Sequence, residues 1–149
     1  MEHFDVLIVG AGISGVGAGY HLQTQCPDKS FVILEGLESF GGTWLTHTYP
    51  GIRSDSDLHT FGYRFKPWVG APIASAAEIR KYMGEVIDEN GLDDHIRYNH
   101  WIETASWSST DQQWTIKGVN KNGDTTPVEI TAKFLWMCQG YYKHAEGYT

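Results

Sequence analysis

Three glycines, Gly10, Gly12 and Gly15, stand in G-x-G-x-x-G spacing, and an acid, Glu35, follows twenty residues after the last of them. Glycines at these intervals let a chain turn tightly out of a strand and bring its backbone against a pyrophosphate with no Cβ in the way. The third lets a following helix sit close against a sheet. The free N–H groups of that helix's first turn, which includes Ser14, and the positive end of its dipole then face the phosphates. An acid at position 35 accepts hydrogen bonds from ribose hydroxyls. It also disfavours a 2′-phosphate, so NADP fits this particular site poorly.

The elements needed to position these groups are legible on either side. Residues 4–9, FDVLIV, form a nearly unbroken apolar run that ends at Gly10, as a strand buried on both faces of a parallel sheet does. A helix is predicted from Ile13 to about Gln25, and a second apolar run, FVIL at 31–34, leads directly into Glu35. Strand, glycine turn, helix, strand and acid in this register make the dinucleotide-binding βαβ fingerprint. The helix also carries Gly17 and Gly19, each costing about 1 kcal/mol relative to alanine in a helix interior. Close packing against the sheet is the expected return.

Composition narrows the function classes. With 149 residues the chain can bury a sizeable core, and a net charge of −7 without a Lys/Arg block argues against a nucleic-acid or anionic-membrane surface. Cys26 and Cys138 sit in no C-x-x-C or metal-ligand array, and the seven histidines are scattered without zinc spacing, so no metal site is expected. Reduced cysteines fit a cytoplasmic setting. The first apolar run is broken by glycine after six residues and lacks a basic segment before it, so it reads as neither signal peptide nor membrane span.

Beyond Glu35 the chain offers several motifs with two readings each. Gly41-Gly42-Thr43-Trp44 is either a close-approaching backbone beside a flat apolar wall or a surface loop with a core tryptophan. Arg53 and Asp55, after Pro50-Gly51, are either a surface ion pair or site groups presented on a loop. The aromatic stretch 58–68 is either a pocket wall for a flat ligand or a small local core. A capping box, Ser75 to Glu78, opens a helix with Ile79, Tyr82, Met83, Val86 and Ile87 on one face, closed at Asn90-Gly91. Strands follow at 102–107, 114–119 and 128–132 as a meander, with Trp107 and Trp114 as cross-strand partners. A further parallel strand is predicted at 134–138. The fold class is therefore α/β: a Rossmann-like domain with a central parallel sheet, helices on its faces and a small antiparallel meander.

Taken together, GAGISG near the amino terminus, Glu35, GGTW at 41–44 and YPGIRSDSD at 49–57 resemble flavin-dependent monooxygenases. The match is to the Baeyer–Villiger and flavin-containing monooxygenase superfamily, nearest the ethionamide-activating subgroup, and it runs through all 149 residues. The resemblance implies FAD at the first site. Gly10, Gly12, Ser14 and Gly15 would hold its pyrophosphate, Glu35 its adenosine ribose, and Ile102, by its backbone, its adenine. Gly42, Thr43, Trp44 and Asp55 would lie along the flavin. Arg53 to Asp55 would face the nicotinamide of NADPH, and Asp55 would orient an active-site arginine. The implied reaction is NADPH-driven, O₂-dependent oxygen insertion through a C4a-peroxyflavin, beside a ketone carbonyl or onto a sulfide, thioamide or amine.

Family members carry a second G-x-G-x-x-G for NADPH and an F-x-G-x-x-x-H-x-x-x-W signature, which these residues lack. The arginine that Asp55 would orient is missing too. Residues 1–149 are accordingly expected to be the amino-terminal portion of an FAD-binding domain, from a truncated or split enzyme or as a fragment of one. The NADPH domain and the returning carboxyl-terminal segment are absent, and turnover is not expected from this chain alone. The competing class is a non-catalytic module that holds FAD or another adenine dinucleotide. A disulfide reductase would need a C-x-x-C soon after Glu35, and none is there.

Overall fold

The computed structural model describes residues 1–141. The chain runs β1 (Glu2–Val9), α1 (Ile13–Gln25), β2 (Phe31–Leu34), α2 (Thr43–Thr46), α3 (Leu58–Phe61) and α4 (Ala76–Asn90), then a 3-10 turn (Leu92–His95). It ends with β3 (Ile96–Arg97), β4 (His100–Ser108), β5 (Gln113–Asn120) and β6 (Thr126–Met137). The strands form one six-stranded sheet in the order β3-β2-β1-β6-β5-β4. Contacts from β3 through β6 are parallel, and those from β6 through β4 are antiparallel.

One strand is longer than the sequence pattern suggests. Residues 128–132 and 134–138 were expected as two strands, the end of the meander and the last parallel strand. They are instead parts of one continuous strand, β6, which pairs with β5 along Thr126–Ala132 and with β1 along Ile130–Met137. The physical reason is the joint: only Lys133 separates the two apolar runs, and a single lysine supplies no turn.

The two edge strands, β3 and β4, are separated in sequence by Tyr98 and Asn99 alone. A flat six-stranded sheet cannot place its opposite edges two residues apart, so the sheet rolls on itself until β4 returns to β2. Two backbone bonds close the roll, His100 N–H to the Glu35 carbonyl (2.9 Å) and Asn99 N–H to the Leu37 carbonyl (2.8 Å), just beyond the β2–β3 pairing that Glu35 N–H to the Arg97 carbonyl (2.9 Å) extends. Asn99 takes the required left-handed conformation at φ 58°, which asparagine tolerates better than most residues.

Two cores result. On one face Val6, Ile8, Phe31 and Ile33 pack under α1 and α4, whose Val16, Leu22, Ile79, Met83 and Val86 are buried with them. Inside the roll, Leu7, Val32 and Leu34 meet Ile116, Ile130 and Ala132. Both long helices thus share one face of the sheet, and the antiparallel strands cover the other. The capping box of α4 is complete, and Gly91 ends the helix at φ 62°. The aromatic stretch resolves as local core: Tyr63 and Phe65 stack at 4.8 Å, Tyr63 stacks on Tyr82 at 5.8 Å, and the Tyr63 hydroxyl donates to the Ile13 carbonyl. Trp107 and Trp114 are paired across β4 and β5 at 5.5 Å.

Candidate dinucleotide-binding site

The end of β1 is set by Gly10, whose φ of 101° is closed to most side chains and whose N–H donates to the Leu34 carbonyl at 2.8 Å. A Cβ on Gly15 would lie 1.8 Å from the Gly10 carbonyl oxygen, so the first turn of α1 rests directly on the loop. Gly12 is the N-cap of α1 in an extended conformation. No side chain caps this end and no acid lies in its first turn. Its leading N–H groups are therefore left for an external acceptor, such as the oxygens of a phosphate.

The loop after β2 seals one side of this cradle. Gly41 donates its N–H to the Ala11 carbonyl at 3.0 Å. Gly42, at φ 53°, comes so close that a Cβ there would sit 3.3 Å from the Gly12 Cα. Of the two readings of Gly41-Gly42, close approach is therefore observed, and what it approaches is the first glycine loop. The loop is held from below by Arg80 of α4, which donates to the Ser39 hydroxyl (3.1 Å) and lies over the Phe40 ring at 5.2 Å. The Arg80 Nε is buried beside Gly41 without a hydrogen-bond partner. Thr43 is exposed, and Trp44 is partly buried with its ring edge-on to Phe61 at 6.2 Å.

Glu35 is 8% exposed, a costly place for a carboxylate unless hydrogen bonds compensate it. They do: one oxygen accepts the Ala11 N–H at 2.7 Å and the other the Leu37 N–H at 2.9 Å. Each oxygen keeps capacity for a further donor. Glu35 is thus a tether between the glycine loop and the end of β2, a role that side-chain patterns cannot reveal because both partners are backbone amides. Tyr98 lies close by, its phenol pushed up to about 12 first by burial and then by Asp93, with Glu35 adding to the effect and Arg80 opposing it.

Gly10, Gly12, Ser14, Gly15, Glu35 and Gly42 are therefore gathered at one end of the parallel strands, with Thr43 and Trp44 adjoining. Ile102 stands near the start of β4, its side chain against the core inside the roll, where the register with β5 shifts between Ile102 and Thr104. Arg53 and Asp55 are elsewhere, on the loop that leads toward α4. That loop is fastened by Ser54 N–H to the Ala74 carbonyl (3.0 Å) and Ala76 N–H to the Ile52 carbonyl (3.1 Å). Arg53 turns its Nε back to the Gly51 carbonyl at 3.2 Å, and the ion pairs among the described residues do not join it to Asp55. The ion-pair reading of those two residues is thereby set aside. Both are exposed, and Arg53 lines a shallow groove of about 210 Å³ together with Gly51, Ala74, Ser75 and Glu78.

The fold is Rossmann-like, and residues 8–70 match the family described as NAD(P)-binding Rossmann-like domain. The chain as a whole is similar to FAD-containing monooxygenases. It is 52% identical over 149 residues to the FAD-containing monooxygenase EthA of Mycolicibacterium smegmatis, a match covering 99% of this chain and 30% of that protein. Among solved structures, an oxidized steroid monooxygenase bound to NADP superposes with a TM-score of 0.81 at 29% identity, over 93% of this chain and 26% of that one. The OTEMO complex with FAD and NADP superposes with a TM-score of 0.76 at 26% identity, over 92% of this chain and 26% of that one. The resemblance read from GAGISG, GGTW and YPGIRSDSD thus extends along nearly the whole chain, which spans about 30% of the length of the curated relatives it matches.

Proposed function

We propose that this chain is the FAD-holding part of an NADPH- and O₂-dependent flavoprotein monooxygenase. The observation that carries the reading is the cradle itself: an uncapped helix end at Gly12, closed by Gly42, with the buried carboxylate of Glu35 at the adjoining strand end. A pyrophosphate suits the leading N–H groups of α1, since it supplies the negative charge and acceptors that no side chain provides there. Glu35, with its remaining lone pairs, takes the ribose hydroxyls, and the backbone at Ile102 takes the adenine. Gly42, Thr43 and Trp44 then run toward the flavin. FAD in this position supplies a redox centre that NADPH reduces and that activates O₂.

The chain's own residues bind, orient and exclude water. Asp55, exposed on a loop pinned to α4, is free to meet a cation from another segment, and its part is to orient an arginine supplied by the rest of the enzyme. Arg53 lies beside it for the nicotinamide of NADPH. Substrates in this reading are ketones, thioamides or sulfides, or amines. The 149 residues by themselves hold FAD without turning over, because the arginine that Asp55 would orient and the main NADPH site belong to other segments.

Incubation of the purified chain with FAD, followed by desalting and a visible spectrum, tests the binding. Retained flavin absorbance with protein-shaped structure is the expected result. A chain that is folded by circular dichroism and leaves the column colourless would overturn the assignment of the cradle to FAD.

A further inference from the structure

Trp101 is 52% exposed, and its position is tightly defined. The two residues before it are bonded to the loop after β2, Asn99 to Leu37 and His100 to Glu35. Its own backbone is paired with Val119 of β5. The indole rests against Gly36, the residue directly after the buried acid: a Cβ there would lie 2.7 Å from the Cε3 ring atom. The Lys121 ammonium stands 5.4 Å from the ring centroid. Trp107, of similar exposure, has Trp114 as its cross-strand partner, whereas Trp101 has no aromatic partner among the described residues.

We propose that Trp101 is the purine wall of this site, the flat surface on which the adenine of the bound dinucleotide stacks. The inference rests on the FAD reading above and adds to it a residue that the G-x-G-x-x-G fingerprint does not contain. The chemistry matches in two halves. An adenosine presents hydroxyls and, one glycosidic bond away, a planar base. Here a carboxylate able to accept from hydroxyls is followed at once by Gly36, and the space a side chain would fill at that position is taken by the edge of an indole. Trp101 remains exposed, with the Lys121 ammonium over its ring, and the indole surface left open can take a π-face, which any base provides and water does not reward. The backbone of Ile102, next along the strand, is then placed for the edge of the same base.

The test compares FAD, FMN and AMP as probes on the purified wild-type chain and its variants. Trp101→Leu is expected to weaken FAD binding about tenfold, the scale of one lost base–aromatic stack. It should leave the affinity for FMN, which lacks the adenosine half, unchanged. Trp101→Phe should restore most of the FAD affinity. AMP should quench tryptophan fluorescence in the wild type and lose that effect in Trp101→Phe. Equal FAD binding by wild type and Trp101→Leu, or equal weakening of FAD and FMN, would overturn the proposal. So would AMP quenching that is the same in wild type and Trp101→Phe, a comparison that still decides if the leucine variant does not fold. A wild-type chain that binds neither FAD nor AMP would overturn the dinucleotide reading itself, which separates that failure from a failure of Trp101 alone.

Discussion

At the scale of single residues, Glu35 carries two duties. Its carboxylate holds the Ala11 and Leu37 amides, and the proposed ribose contact uses only what those bonds leave over. Glu35→Gln replaces one acceptor by an NH₂ group and strands a buried amide donor, at a cost of about 1–3 kcal/mol. The melting temperature of the FAD-free chain should therefore fall, together with FAD retention. A Glu35→Gln chain that melts like the wild type before FAD is added would refute the tether. The identities of these residues were legible in the sequence, since spacing alone singled out Gly10, Gly12, Gly15 and Glu35. The tether was not, because backbone N–H groups leave no signature in side-chain order. Gly36 was a missed signal: a glycine just after a strand-ending acid marks a close approach, here by Trp101.

At the scale of elements, the local patterns were the readable ones. The bounds of α1 follow from the glycine loop before it, and those of α4 from Ser75, Glu78 and Gly91. Ser75→Ala removes a cap worth about 1 kcal/mol and should lower the melting temperature by about 2–4 °C, measured by circular dichroism. Gly15→Ala should be far worse, because a methyl group would be driven into the Gly10 carbonyl; loss of cooperative melting is expected. A Gly15→Ala chain that melts within a few degrees of the wild type would contradict the observed contact between helix and loop. The union of 128–132 with 134–137 in β6 was hidden because its two parts read differently: VEITA alternates as a meander strand does, whereas FLWM is apolar throughout as a parallel strand is, so a change of partner reads as a change of strand. The roll of the sheet was hidden for a related reason: it depends on which strands become edges, and pairing order is a long-range property.

At the scale of the whole molecule, alkaline pH is the condition that should undo this structure. Burial pushes the Tyr63 phenol well above the usual range, with Tyr82 adding to it, and Tyr98 is raised to about 12. Both folded values lie above the unfolded value of about 10, so folding favours the neutral phenols. That contribution is intact below pH 10 and is lost as pH rises toward 12. Melting temperatures should hold between pH 7 and 9 and fall steeply above 10. Absorbance at 295 nm should show late-ionising tyrosines that titrate only with unfolding. Tyr63→Phe should remove part of the late-ionising signal, and an unchanged titration in that variant would exclude Tyr63 as its source. The charge balance of −7 adds to the same trend, since each ionised phenol increases self-repulsion.

The continuity of β6 also sets a timetable. β1 finds β2 within a short stretch of chain, but its other neighbour is β6, with Val9 opposite Met137. At a synthesis rate of about 5–20 residues per second, the first strand waits roughly ten seconds for that partner to be made. During that interval one flank of β1 presents open N–H and C=O groups to whatever strand is nearby. The same β6 that joins the parallel and antiparallel halves of the sheet is the last of the six described strands in chain order, and a nascent chain halted before residue 126 would carry its glycine loop on an unfinished edge.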